Sequence, residues 1–245
     1  MKKLVLIFFI LLIPSCTQNY NWGWYILNPR LDSGFSNLQF LLSGLSITIF
    51  ISLLSIFFSL LIGFFVSLLG MSSTKLLIWI NRSYIEIFRS VPLLVLLLWV
   101  YYGLPVIFGI SFGPFVAGII SLAISDSAFE AEIFRAGLQS INKGQRDAAK
   151  SIGLNKYQEM RFIILPQALR IILPAIGNQF VYVLKMSSLV SIIGLADLTR
   201  KANELVVSVY RPLEVYTFLV FEYLILILII SFFIRKLEKK LKTNL

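Results

Sequence analysis

Residues 33–74 contain no Asp, Glu, Lys or Arg. About 20 apolar residues cross a bilayer as a helix. In lipid, a segment must pair its own backbone groups, which leaves helices or closed barrels. No proline or loop signal interrupts 39–69, so the run reads as one long, tilted helix. Along it Gly44, Thr48 and Ser52, then Ser55, Ser59, Gly63 and Ser67, recur at spacings of four and three. Those spacings share one helix face, and small residues let membrane helices approach closely. The stripe reads as a packing seam; hydroxyls lining a pore are the alternative.

The remainder agrees with a membrane protein. Hydrophobic residues make up 58% of the 245 and charged ones 14%, where a soluble domain carries about 25%. Further apolar runs cover 91–108, 115–134, 171–194 and 213–234. The expectation is an all-α, polytopic membrane protein with about five transmembrane helices and one large polar loop, 135–170. A net charge of +10 would suit nucleic acid, but aromatics do not interleave with the basic residues. Fifteen Lys and Arg fall in 75–90, 135–170 and 235–245, against four in the opposite loops. The positive-inside bias places the first set, and the C-terminus, in the cytoplasm.

There is no His, Cys16 is the single Cys, and no GxxxxGK[ST] run occurs. Cys/His metal sites, His-based triads and nucleotide binding by this chain are thereby excluded. No cofactor is expected on it. An intramembrane enzyme would lack its nucleophile or metal set.

The N-terminus divides in two. Residues 1–16 carry two lysines, a short apolar run and Ser-Cys, which reads as a signal peptide or a short first membrane segment. The end resembles a lipoprotein cleavage box, although Pro14 fits it poorly. Residues 17–38, with Tyr20, Trp22, Trp24 and Tyr25, read as an external segment on the outer leaflet, where Trp and Tyr gather. The domain assignment is then 39–235 for the membrane domain and 236–245 for a basic tail.

Two spans carry polar groups. Asp126 lies deep in 115–134, where an intramembrane acid is a candidate functional group. Glu130 and Glu132 fall nearer the inner end, where water reaches them. In 171–194, Asn178, Gln179, Lys185, Ser187, Ser188 and Ser191 exceed what a lipid-facing helix carries. A cavity-facing or partner-facing surface is implied. Asp126 is a candidate partner for Lys185.

Residues 144–166, GQRDAAKSIGLNKYQEMRFIILP, form the longest polar run. Two helix-forming pieces, 145–152 and 156–164, flank Gly153, and Pro166 is expected to break or kink the helix beyond it. The pattern is a bent helical knob. Asp147, Ala148, Ala149, three residues, Gly153, nine residues, Ile163, one residue, Leu165 and Pro166 resemble the EAA loop of ABC transporter permeases, with Asp where the family usually has Glu. The segments 86–105, 130–141, 165–185 and 187–198 are similar to permeases that import polar amino acids.

That resemblance implies a membrane-spanning subunit of an ATP-driven importer in the bacterial inner membrane. The substrate would be glutamine, arginine, histidine or a similar amino acid, delivered by an extracytoplasmic binding protein. A second permease subunit, identical or related, would complete the pathway, and ATP would sit on a separate cytoplasmic subunit. The loop 140–168 would grip that subunit through Asp147, Ala148, Ala149, Gly153, Leu154 and Pro166, the small residues letting the partner approach. The route would be lined by Asp126, Asn178, Gln179, Lys185, Ser187 and Ser188. Relatives often have Gln at the position of Leu96, and an Asp-Thr pair where this chain has Met186-Ser187. Other readings are a permease for another polar solute, such as an opine, or a non-transporting anchor for an ATPase.

Overall fold

The computed structural model describes residues 20–242; the signal-peptide reading of 1–16 lies outside them. The uncharged run becomes α1 (Asp32–Leu42) and α2 (Gly44–Gly70), together one candidate span interrupted only at Ser43. Helix therefore begins at Asp32, inside the segment expected to lie on the outer leaflet. Before it comes a 3-10 turn, Trp24–Leu27.

The charged stretch after α2 is a helix, not a loop. α3 (Lys75–Ser90) meets α4 (Leu93–Leu98) at a 97° elbow. Pro92, at φ −58° and ψ 131°, sits in that elbow and caps α4. A π turn, Trp99–Gly103, leads on to α5 (Leu104–Phe108). Counted as one, this bent pair is a candidate second span; the bend lies ahead of the apolar run expected over 91–108, which continues as helix from Leu93 to Phe108. α6 (Pro114–Gln139) is the third.

The knob contains α7 (Lys143–Ser151) and α8 (Lys156–Gln158). A second π turn, Glu159–Ile164, feeds α9 (Leu165–Met186) and a 3-10 stretch, Ser187–Ile193. α10 (Leu198–Val209) and α11 (Pro212–Lys242) close the chain. Helix α11 runs through the residues expected to be a separate tail from 236 on.

Pro166 does not break the helix. Each π turn ends just before a Leu-Pro pair, Leu104-Pro105 and Leu165-Pro166. A helical proline lacks an N–H and crowds the carbonyl four residues back. Widening the preceding turn moves that carbonyl aside, and the helix continues.

Helix directions follow from the close contacts. A Cβ at Gly44 would meet the Asp197–Leu198 backbone at 2.6 Å, and one at Gly63 the Glu130 Cβ at 2.6 Å. A Cβ at Gly118 would meet Ile51 and Val190 side chains at 2.8 Å, and one at Gly177 the Ile234 side chain at 2.8 Å. Helices α2, α6 and α11 therefore run toward the knob end, and α9 runs away from it. The bent pair returns the chain between α2 and α6, since Asn81 Nδ2 donates to the Val66 carbonyl at 2.7 Å.

The small-residue stripe is the seam of this bundle. Thr48, Ser52, Ser55, Ser59 and Ser67 are fully buried, and α2 packs most extensively on α6. Thr48 donates to the Gly44 carbonyl, Ser52 to the Thr48 carbonyl and Ser67 to the Phe64 carbonyl, so these three hydroxyls are satisfied within the helix, while Ser59 reaches across to Asp126 and Ser55 Oγ has no partner.

At the far end, Glu214 of α11 is fully buried. It accepts from the Tyr20 hydroxyl and the Gly23 amide, each at 2.5 Å. Arg211 donates to the Asn21 carbonyl at 2.7 Å. Ile26, Leu27 and Leu41 then pack with Ala202, Leu205 and Val215. The N-terminal segment is bolted onto the α10–α11 corner.

Candidate functional site

The knob is built from local rules. Asn142 caps α7 by accepting from the Gly144 amide at 2.9 Å. At the other end Gly153 has φ +80°, a left-handed conformation that favours glycine. Its N–H donates to the Lys150 carbonyl at 3.0 Å, and the Leu154 N–H to the Ala149 carbonyl at 3.1 Å. This pair of bonds is a Schellman turn. Asn155 and Gln158 then form a capping box that starts the next helix, two donors being satisfied reciprocally. Arg146 donates to the Leu138 carbonyl at the end of α6 at 2.9 Å, which ties the knob to the bundle.

The residues expected to meet a partner separate into two groups. Asp147, Ala148 and Gly153 are exposed, and Asp147 is only 4.0 Å from Lys150 in an exposed pair. Ala149, by contrast, is 2% exposed. It lies on the inward face of α7, the helix that packs on the π turn Glu159–Ile164. Leu154 is half-buried, and Pro166 lies on the exposed flank of α9. The outward apolar groups are Ile152, 75% exposed, and Tyr157, 67% exposed. Tyr157 is outside the expected set; it lies within the capping box, between Asn155 and Gln158, and that box is the available signal.

The polar residues of the spans also divide. Asp126 is buried at the junction of α2, α6 and α9, where Ser59 Oγ donates to Oδ2 and Gln179 Nε2 to Oδ1, each at 2.5 Å. It does not pair with Lys185. That side chain is exposed and in no ion pair among the described residues. It stands six residues beyond Gln179, about 9 Å along the helix. Asn178 is exposed beside Gln179. Ser187 is buried and donates to the Leu184 carbonyl, and Ser188 to the Lys185 carbonyl. Both hydroxyls thereby donate back into the last turn of α9. Of the expected route residues, the fold brings only Asp126 and Gln179 together.

Glu130 corrects another expectation. It is not solvated at the inner end; it is fully buried against Gly63, and neither carboxylate oxygen has a partner. Glu132, two residues on, is the half-exposed one, with Arg89 at 2.5 Å and Arg135 at 4.0 Å. At the far end Asp197 caps α10 by accepting from the Arg200 amide at 2.8 Å. Burial pushes its carboxyl up to about 6. Among the described residues no group of three or more Cys, Asp or Glu could hold a metal ion.

Among the described residues, four helices long and apolar enough to cross a membrane, five with the bent pair counted as one span, and a helical knob ahead of α9 define a class. The chain belongs to the family of binding-protein-dependent transport system inner membrane components, whose pattern it matches over residues 59–243. It is a multi-pass ABC transporter permease of the inner membrane.

Among its relatives is the Arginine transport system permease protein ArtQ of Bacillus subtilis (strain 168). The two are 35% identical over 218 residues, 89% of this chain and 100% of that one. The Glutamine transport system permease protein GlnP of Escherichia coli (strain K12) is 38% identical over 160 residues, 65% of this chain and 73% of that one. A chain from the solved "Crystal structure of an amino acid ABC transporter with histidines" superposes with a TM-score of 0.82 at 38% identity, covering 90% of this chain and 100% of that one.

Proposed function

We propose that this permease carries a polar amino acid into the cell, and that the knob is where a separate ATP-binding subunit takes hold. The observation that carries the reading is the Schellman-turned knob, which presents Ala148, Gly153 and Ile152 outward while Ala149 anchors it from behind. Such a surface offers a partner an apolar plug on a stiff mount. The names of the relatives, for arginine and glutamine transport, support an amino-acid substrate.

In this reading the knob end and the C-terminus face the cytoplasm, in keeping with the fifteen basic residues on that side. A binding protein delivers substrate at the far end. A second permease, identical or related, covers the polar flank of α9 that bears Asn178 and Lys185. Substrate passes near Asp126 and Gln179. ATP drives the cycle only by binding the closed form of its subunits more tightly than the open one. The π turn that joins the knob to α9 carries that motion from the knob to the spans.

The test is a cross-link. Cys at position 152, in a Cys16→Ser background, is expected to capture the ATP-binding subunit in membranes, and Cys at buried position 149 is not. Capture from neither 152 nor 148 overturns the reading.

A further inference from the structure

A cavity of about 720 Å³ opens at the α3–α4 elbow, lined by Arg82, Glu86, Arg89 and Ser90 on one side and Glu132 and Arg135 on the other. Its inner wall is already paired. Arg89 Nη1 donates to Glu132 at 2.5 Å, and Arg135 stands 4.0 Å from the other oxygen of the same carboxylate. The Arg89 guanidinium also lies 5.2 Å over the Phe129 ring, and Phe129 packs on Tyr182 of α9 at 6.2 Å. Tyr182 is three residues along α9 from Gln179, which donates to Asp126, so the cavity lies on the knob side of that polar junction.

The outer wall is different. Arg82 and Glu86 stand one turn apart on α3, both exposed, and neither is in an ion pair among the described residues. With the base N-terminal to the acid, this is the weaker orientation for a helical pair. Each guanidinium offers five donors, and Arg135 has only one long contact to occupy its own. The cavity therefore presents spare donors beside a spare carboxylate.

Charges of both signs lining one cavity match a molecule that carries an ammonium and a carboxylate on one carbon. We infer that the elbow cavity is a low-affinity site for a zwitterionic α-amino acid, with Arg82 and Arg135 taking its carboxylate and Glu86 its ammonium. The inference rests on the amino-acid reading of the function and adds a second stop to the route, on the knob side of Asp126. Exposed ion pairs are weak and screened by salt. Weak binding suits a release station, since a site on a conduction path must let its occupant leave.

Saturation-transfer NMR on the purified transporter complex tests it without requiring turnover. L-glutamine and L-arginine are the probes, with L-glutamine α-carboxamide as the control lacking the carboxylate. The wild-type complex is expected to transfer saturation to both amino acids, and at least threefold less to the carboxamide. The Arg82→Gln/Arg135→Gln double variant and Glu86→Gln are each expected to lose at least threefold, with Arg82→Lys in between. All three positions are solvent-facing or half-exposed, and unchanged gel-filtration profiles check the fold. Equal transfer by wild type and variants overturns the site. So does transfer that vanishes when phosphatidylglycerol is present, because a lipid headgroup is then the occupant. If the amino-acid reading itself fails, ATP-driven uptake into proteoliposomes is absent for every amino acid tested, a separate result from the loss of NMR signal in the variants.

Discussion

Gly63 and Glu130 touch across the α2–α6 seam: a Cβ on Gly63 would stand 2.6 Å from the Glu130 Cβ and 2.9 Å from the Ser127 carbonyl. The neighbours are a helix backbone and the root of a side chain, neither of which can move aside. The buried Glu130 carboxylate has no partner there. Gly63→Leu is expected to prevent stable assembly, and Gly63→Ala to lower the thermal midpoint of the purified protein. Glu130→Gln keeps the shape and removes an ionisable group from an unpartnered site. It should leave the midpoint unchanged or raised, because an uncompensated buried charge is costly. A midpoint that falls as far for Glu130→Gln as for Gly63→Ala contradicts this account.

Gly153 has open space around its missing Cβ but φ +80°. The cost of a side chain there is conformational, not steric, and about 1–2 kcal/mol for most residues. Asn tolerates the left-handed region and β-branched residues do not. Gly153→Asn should therefore keep most transport, while Gly153→Val and Gly153→Arg lose it with membrane insertion intact. ATPase co-purification at wild-type yield with Gly153→Arg would remove the knob from the interface.

Asp126 is held by two neutral donors, Ser59 and Gln179. An Asp126→Lys/Lys185→Asp exchange is thus expected to rescue nothing that either single change loses. Asp126→Asn preserves shape and can re-pair with a rotated Gln179 amide. Its expected effect is a shift in competition between cationic and neutral amino acids, by several-fold in relative uptake. Unchanged competition profiles would take Asp126 off the route.

Asp197 gives a pH-dependent prediction. Burial raises its carboxyl from 3.8 to about 6. A raised carboxylate pKa means that the folded state binds the proton more tightly than the unfolded one. Stability from this group is highest below pH 4 and is lost as pH rises to 6, after which the deficit is constant. A shift of this size corresponds to something on the order of 2–3 kcal/mol. Asp197→Asn still caps α10, since Asn and Asp cap equally well. It is expected to unfold at a higher temperature than wild type at pH 7.5, with the gap closing by pH 4. Denaturation scans across that range decide it; a gap independent of pH contradicts the burial account.

Much of this protein was legible in the residues alone, because the bilayer leaves a chain few choices. An uncharged stretch over 33–74 must be helix in lipid, and small residues at spacings of three and four must share a face. That face became the seam. The knob was equally legible: glycine between two helix-forming pieces is a local instruction, and φ at Gly153 obeys it. What the residues could not specify was which face of each helix meets which neighbour. Ala148 and Ala149 look alike in sequence, yet only Ala149 is buried. Glu130 and Glu132 are two residues apart, and the roughly 200° between them on a helix sends one into the seam and the other to Arg89. The elbow at Ser90–Pro92, the gathering of Asp126 with Ser59 and Gln179, and the separation of Lys185 from Asp126 are all consequences of how the helices stack. Periodicity records each helix's own faces; only the packed bundle assigns them their partners.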